Sequence, residues 1–282
     1  MAEVFGFDCY APKEIAERVE NVGVTKANLP LLSQVALGVL AGGFIGLGAM
    51  FFTLVVSDAS LGFALARVLG GVAFSLGLIL VVVAGAELFT GNNLLVMATV
   101  AGRIPASRFL QNMVVIYFAN LIGALGLAGL VALSGYGQTS GSAVGKAALS
   151  MAVAKCALPF GEAFFKGVLC NILVCLAVWL AMAGRTVTDK VLAIVFPIAA
   201  FVACGFEHSV ANMYFIPLGI FLREQGVASA AYLEALNWFG LARNLLPVTL
   251  GNLVGGAGMV GLVYWVIYRR NTSSSAKASP AP

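Results

Sequence analysis

Six long apolar runs separated by short polar connections dominate the chain: Leu31 to Val56, Val68 to Val100, Phe109 to Leu133, Phe164 to Met182, Val191 to Leu222, and Leu245 to Ile267. Crossing about 30 Å of hydrocarbon takes roughly 20 helical residues at about 1.5 Å each, so every run is long enough to span a bilayer. The second and fifth are overlong, and each carries ionisable and amide residues in its middle. The pattern predicts an all-α integral membrane protein of six transmembrane helices, with spans 2 and 5 broken.

The two interruptions are one motif written twice. Gly85-Ala86-Glu87-Leu88-Phe89-Thr90-Gly91-Asn92 and Gly205-Phe206-Glu207-His208-Ser209-Val210-Ala211-Asn212 share the form Gly-x-Glu-x-x-x-x-Asn at a constant separation of 120 residues. The flanking spans echo each other in the same order: Gly38-Val39-Leu40 with Gly167-Val168-Leu169, and the segment from Asn120 to Gly126 with that from Asn252 to Gly258. Three spans per half is an odd number, so a repeat of this kind must be inverted. The expected architecture is an inverted 3+3 repeat, with halves at about 29–135 and 160–270 and a site on the axis between them.

The remaining segments are polar. Two readings fit Met1 to Asn28: an amphipathic helix at the membrane surface, with Pro12 in its first turn and Ile15, Val19 and Val22 on one face, or an ordinary solvated leader. The first apolar run begins behind that mixed-charge segment and is too long for a signal-peptide core. Ser134 to Phe160 reads as a Gly/Ser-rich connection, and Asn271 to Pro282 as a disordered tail. Gly38, Gly42 and Gly46 form a small-residue face for close helix packing, against another span or another subunit.

Composition agrees: 61% of residues are hydrophobic and only 10% charged, against roughly 25% charged in soluble domains. With an N-terminus in the cytoplasm, ten of the sixteen lysines and arginines fall inside, which places both termini there by the positive-inside rule. Trp179 and the Tyr264-Trp265-Tyr268 group would then form an aromatic belt at the cytoplasmic boundary. Nothing in the charge pattern resembles a nucleic-acid footprint. The five cysteines lack metal-ligand spacing and read as small hydrophobes.

An ionisable residue at mid-membrane depth costs about 2.5–3.5 kcal/mol even on lenient scales, so Glu87, Glu207 and His208 must face protein or a water-filled path. Glu87 and Glu207 recur at both breaks, and so do Asn92 and Asn212. That recurrence favours a structural role, in which the carboxylates accept the loop's unpaired N–H groups. His208, the only histidine, has no such mate, because the equivalent position is Leu88. It is either a satisfied core donor or a group that donates to an anion or exchanges a proton with it. Thr90 is either a helix cap or a hydroxyl serving the same anion. The N-termini of the resumed half-helices would suit a small anion at the midplane.

These segments, together with Phe165-Lys166-Gly167-Val168-Leu169-Cys170-Asn171 and Val174-Cys175-Leu176-Ala177-Val178-Trp179, resemble the signature segments of the formate/nitrite transporter family. The resemblance runs from about Pro12 to Tyr268. It implies an aquaporin-like protomer and a homopentamer in which each subunit has its own pore for small weak-acid anions, in a bacterial-type inner membrane. It also implies roles for single residues. His208 matches the family's central histidine, Thr90 the threonine on the second broken span, Asn171 a pore asparagine and Lys155 a lysine in the outer vestibule. Phe74, Leu78 and Phe201 match an outer constriction, and Leu88, Phe89 and Val174 an inner one. Lys155 and the half-helix dipoles would draw the anion in, and protonation would ease its passage through the apolar rings.

The substrate expectation is formate first, nitrite close behind, then hydrosulfide, acetate and lactate. No cofactor and no metal is expected; the partners are the anion, the bilayer and further copies of the chain. The rival from another class is a membrane enzyme using Glu87, Glu207 and His208, although no nucleophile has a base beside it. Paired Asn-Pro-Ala motifs of a water pore are absent, as is the second histidine of an ammonium pore.

Overall fold

A computed structural model of the chain describes residues 9–227 and 233–270. The tail expected to be disordered, and the first eight residues of the N-terminal segment, lie outside these. In chain order the helices are α1 (Pro12–Ala27), α2 (Leu31–Val56), α3 (Phe63–Ile79) with a π-helical extension at Leu80–Gly85, α4 (Phe89–Asn92), α5 (Val96–Val100) and α6 (Ala106–Leu133). They continue as α7 (Ala143–Ala157), α8 (Phe160–Ala183), α9 (Val187–Ala203), α10 (Ser209–Glu224), α11 (Trp238–Leu253) and, after a π-helical stretch at Val254–Leu262, α12 (Val263–Tyr268).

Among the described residues, five segments are long and apolar enough to cross a membrane: α2, Phe63–Gly85, α6, α8 and Trp238–Tyr268. The overlong fifth run divides into α9 and α10, of 17 and 16 residues. Polarity is arranged inside out relative to a soluble protein. Phe118, Ile122, Leu130, Phe165 and Phe196 are exposed, while Asn120, Asn171, Asn212, Asn252 and His208 are buried. An apolar exterior around a polar interior is what a lipid solvent selects.

Two expectations change. The Gly/Ser-rich connection contains a full helix, α7, because the turn-forming residues are confined to its start: Gly135 and Gly141 have φ of 76° and 61°, and Ser140 and Ser142 are left-handed as well. Beyond them the chain is alanine-rich and packs small residues on α10, where a Cβ on Gly219 would lie 2.3 Å from that of Ala152. The second broken span does not resume as one half-helix either. After the break it is pieced from α4, a single 3-10 turn at Asn93–Leu95, and α5, whereas the fifth resumes as the continuous α10.

α2 packs on α3 and α6, α8 on α9 and α11, and α3 meets α9. Glycines set the closeness of these pairs. A Cβ on Gly42 would stand 2.0 Å from the Asn120 carbonyl oxygen, and one on Gly123 would stand 1.9 Å from that of Val39. The small-residue face of α2 therefore meets α6 of the same subunit. Gly42→Ala is expected to push α2 off α6 at a cost of about 1–3 kcal/mol, read as a lower aggregation temperature of the detergent-solubilised protein; an unchanged temperature would show that the backbone yields freely.

α1 docks on the bundle. Ile15, Ala16 and Val19 pack among Leu94, Met97, Cys175 and Trp179. Glu20, 1% exposed, accepts from Arg269 at 3.1 Å and lies 3.8 Å from Arg103. Trp179 stacks on Tyr264 with ring centroids 4.1 Å apart.

Candidate functional site

Each break is made by a glycine that leaves the helix. Gly205 has φ of 72°, and behind it the Phe206 N–H donates to the Phe201 carbonyl while the Gly205 N–H donates to that of Val202. This is a Schellman stop. Gly85, with φ of 87°, ends the π-helical turn in the same way, the Ala86 N–H returning to the Val81 carbonyl.

After each glycine the same bonds form twice. Asn92 donates to Glu87 (2.7 Å) and to Asn112 (2.9 Å); Asn212 donates to Glu207 (2.6 Å) and to Asn244 (2.7 Å). Lys26 pairs with Glu87 and Lys155 with Glu207, both at 2.9 Å. The first helical N–H beyond each break, that of Phe89 or Ser209, is accepted by Asn120 or Asn252. The amide NH2 of Asn120 donates to the Gly38 and Glu87 carbonyls, and that of Asn252 to those of Gly167 and Glu207.

The loop amides therefore do not go to the carboxylates, as the sequence suggested. Asparagines on α6 and α11 take them, because an amide can accept from one group and donate to two others at once, while Glu87 and Glu207 bind a lysine and the following asparagine. Asn112, Asn120, Asn244, Asn252 and Lys26 were not singled out as site residues. Asn112 and Asn120 each recur 132 residues later as asparagine, and that offset was the signal available.

Glu207 is 5% exposed, so its charge needs Lys155. Lys155→Met is expected to destabilise by about 3–5 kcal/mol, the usual result of stranding one member of a buried pair. Adding Glu207→Gln should recover part of that loss in the same thermal assay; a double variant no better than the single would mean that Lys155 acts through something other than this pair.

Two cavities flank the breaks. The first, of about 200 Å³, is lined by Phe52, Arg67, Phe74, Lys155, Lys166, Phe201, Glu207, His208 and Asn212, among others. The second, of about 450 Å³, is lined by residues of α1 including Lys26, and by Leu37, Leu78, Glu87, Leu88, Asn92 and Val178. They lie at opposite ends of the bundle. α2 passes from the second cavity at Leu37 to the first at Phe52, roughly 22 Å along the helix, while α8 runs from Lys166 at the first to Val178 at the second.

Among the described residues, none lines both cavities. Phe74 and Phe201 meet edge to face, 5.6 Å between centroids, and Phe201 lies 5.9 Å from the His208 ring. Leu78 and Leu88 face the other side. Thr90 is wholly buried in the wall, and its hydroxyl lies 2.9 Å from His208 Nε2. Phe89 and Val174 are buried and line neither cavity. Asn171 also lines neither; it donates to the Asn252 carbonyl at 2.7 Å and to that of Thr90 at 3.3 Å, holding the loop from behind.

The histidine's proton can be assigned. His208 is the N-cap of α10, and its Nδ1 accepts the Ala211 N–H at 3.0 Å. An N–H can only donate, so Nδ1 carries no proton. The ring hydrogen is on Nε2 and points at Thr90 Oγ1. The site thus holds a neutral imidazole with its one donor aimed across the wall.

The model of the formate/nitrite transporter family matches residues 13–266. The chain belongs to that family. The formate channel FocA of Escherichia coli K12 is 42% identical over 276 residues, covering 94% of this chain and 96% of that one. Among solved structures, a pentameric formate channel with formate bound superposes with a TM-score of 0.78 at 38% identity, covering 84% of this chain and 97% of that one. An ion channel of the same family reaches a TM-score of 0.79 at 32% identity, covering 90% and 98%. Membership of a formate/nitrite transporter family makes the chain an integral membrane protein and not an enzyme, which removes the membrane-enzyme rival.

Proposed function

We propose that each subunit is a pore for small monovalent weak-acid anions, formate foremost, leading from the first cavity past His208 and Thr90 to the second. The observation that carries this is the 2.9 Å Thr90–His208 hydrogen bond, set in an apolar wall between two cavities that each hold a lysine. Lys155 in the first cavity and Lys26 in the second can each donate to a passing anion beside their glutamate partners. Phe74 and Phe201 narrow the path on the first side and Leu78 and Leu88 on the second, Phe89 and Val174 are buried apart from both cavities, and Asn171 steadies the loop between them. A bare anion crossing these rings loses its hydration at great cost, whereas the neutral acid loses far less. Flux therefore rises as pH falls and the protonated fraction grows.

His208 contributes a hydrogen bond and no net proton. To give up the Nε2 hydrogen without taking one at Nδ1 would leave an imidazolate, and Nδ1 is occupied by the Ala211 N–H. The anion displaces Thr90 as partner of Nε2–H, and its proton comes from hydronium or buffer acid of the solution that fills the cavity, whose conjugate base stays behind in that solution.

Six spans are counted by taking α9 with α10 as the fifth and Trp238–Tyr268 as the sixth. The opposed course of α2 and α8 between the cavities, and the duplicated bonds at the breaks, support an inverted repeat in an aquaporin-like fold. The pentameric neighbour supports a homopentamer. The charge count supports both termini cytoplasmic and the first cavity outside, and the family resemblance supports a bacterial-type inner membrane. The family's name favours nitrite as the second substrate.

Uptake of labelled formate and nitrite into proteoliposomes, with luminal pH followed in the same vesicles, tests this. Formate uptake that shifts luminal pH in step with flux is the expected result. No flux of either anion through folded oligomer would overturn it.

A further inference from the structure

The two cavities differ in one charge. In the second, Lys26 is matched by Glu87. In the first, Lys155 is matched by Glu207, and Lys166 by Glu162 at 2.6 Å. Arg67 also lines the first cavity; among the described residues no carboxylate lies within ion-pair distance of it, and the one whose field it feels, Glu207, is already paired with Lys155. Its guanidinium is instead spent on backbone: Nη2 donates to the Val202 carbonyl at 2.8 Å and Nε to the Ala203 carbonyl at 3.1 Å.

Those carbonyls belong to the last turn of α9. The Schellman stop satisfies Phe201 and Val202 but leaves Ala203, so a helix end worth roughly half a negative charge would face the cavity. The equivalent end on the other side, at Val82 and Val83, receives no side-chain donor among the described residues. An anion meeting the bare end of α9 would be repelled just where it must reach His208. Arg67 caps that end and leaves the cavity with an excess positive charge.

We infer that Arg67 is a positioning and charge-selecting residue: it fixes the α9 terminus that carries Phe201 and makes the first cavity, not the second, the anion-collecting side. This role rests on the reading of the chain as an anion pore and deepens it.

The potential in the cavity can be measured without transport. Ala154 is exposed and lines the first cavity, so Ala154→Cys, in a background with the exposed Cys9 and Cys204 replaced by serine, reports it through its reaction rates with sulfonatoethyl (anionic) and trimethylammonioethyl (cationic) methanethiosulfonate. The ratio of the two rates cancels the thiolate fraction. Arg67→Gln is expected to lower the anionic-to-cationic ratio about threefold or more, as loss of one nearby charge in a partly aqueous site requires, and Arg67→Lys to restore most of it. Formate uptake by Arg67→Gln should fall severalfold at neutral pH and less at pH 5.

An unchanged ratio in Arg67→Gln, eluting as the parent oligomer, overturns the inference; so does a lysine variant that falls as far as the glutamine one. If Arg67→Gln fails to assemble, Arg67→His carries the test within one folded protein. Lys155, Lys166, Glu207 and His208 also face the cavity and remain in the parent, so a ratio that rises between pH 8 and pH 5 by more than the parent's supports the inference, and one that tracks the parent overturns it. Should the wild type carry no formate at all, the pore reading fails while the reagent ratio still judges Arg67.

Discussion

His208→Asn is expected to cut formate uptake at pH 7 by about ten- to a hundredfold while leaving the protein folded. Asparagine is as good an N-cap as any residue, so it can take the Ala211 N–H that His208 Nδ1 now accepts, and α10 should start where it does. Its amide is too short to reach Thr90 or an anion in its place. A hydrogen bond to a charged group is worth about 1.5–3 kcal/mol, and each 1.4 kcal/mol is tenfold in rate, which sets the range. Thr90→Val, which keeps the imidazole donor, should cost less. Proteoliposome uptake across pH 5 to 8 decides it: a variant with wild-type rate and wild-type pH profile would remove His208 from the path.

The second large effect falls on stability. Asn252 accepts the Ser209 N–H at 3.0 Å and donates to the carbonyls of Gly167 (2.8 Å) and Glu207 (3.0 Å). Asn252→Ala leaves the buried Ser209 N–H and Glu207 carbonyl without partners, and the Gly167 carbonyl with only its bond inside α8, in a segment where water does not compete. At about 1–3 kcal/mol for each unsatisfied group, tempered by the average of about 0.6 kcal/mol measured for hydrogen bonds in one membrane protein, the expected loss is about 2–5 kcal/mol. It should appear as a large drop in the thermal stability of the solubilised oligomer. Asn252→Asp keeps the acceptor for Ser209 and loses both donations, so it should not recover the loss; if it did, the single bond to Ser209 would be the whole effect. Asn120→Ala makes the matching test in the first half, because its three bonds are the same.

The site was unevenly legible. Glu87, Asn92, Glu207, Asn212 and His208 could be read from the sequence because polar residues inside an apolar run stand out against their neighbours, and the constant offset paired all of them but His208. Asn120 and Asn252 are also polar residues in apolar spans, yet only their place in a repeat was legible and not their role, because no local rule says which distant amide an asparagine will bond. Lys26 and Arg67 entered only as two of the sixteen lysines and arginines in the charge count. Their partners, Glu87 at a distance of 61 residues and the carbonyls of α9 at 135 and 136, become neighbours only when the helices pack. α7 was missed because the glycines and serines at the start of its connection dominate the composition of the whole segment.

The sequence by itself determined the solvent of this protein, the number and length of its apolar runs, the position of both breaks and the family, because hydrophobic length, glycine and repeated motifs are local properties that survive without a fold. Only the tertiary structure decided which side of the wall each apolar residue faces, that the glycine face of α2 meets α6, that asparagines rather than carboxylates hold the broken backbone, and which ring nitrogen of His208 carries the proton. The first three depend on groups far apart in the chain being packed together, and the last on the cap geometry that turns His208 Nδ1 onto the Ala211 N–H three residues on; no local pattern encodes either.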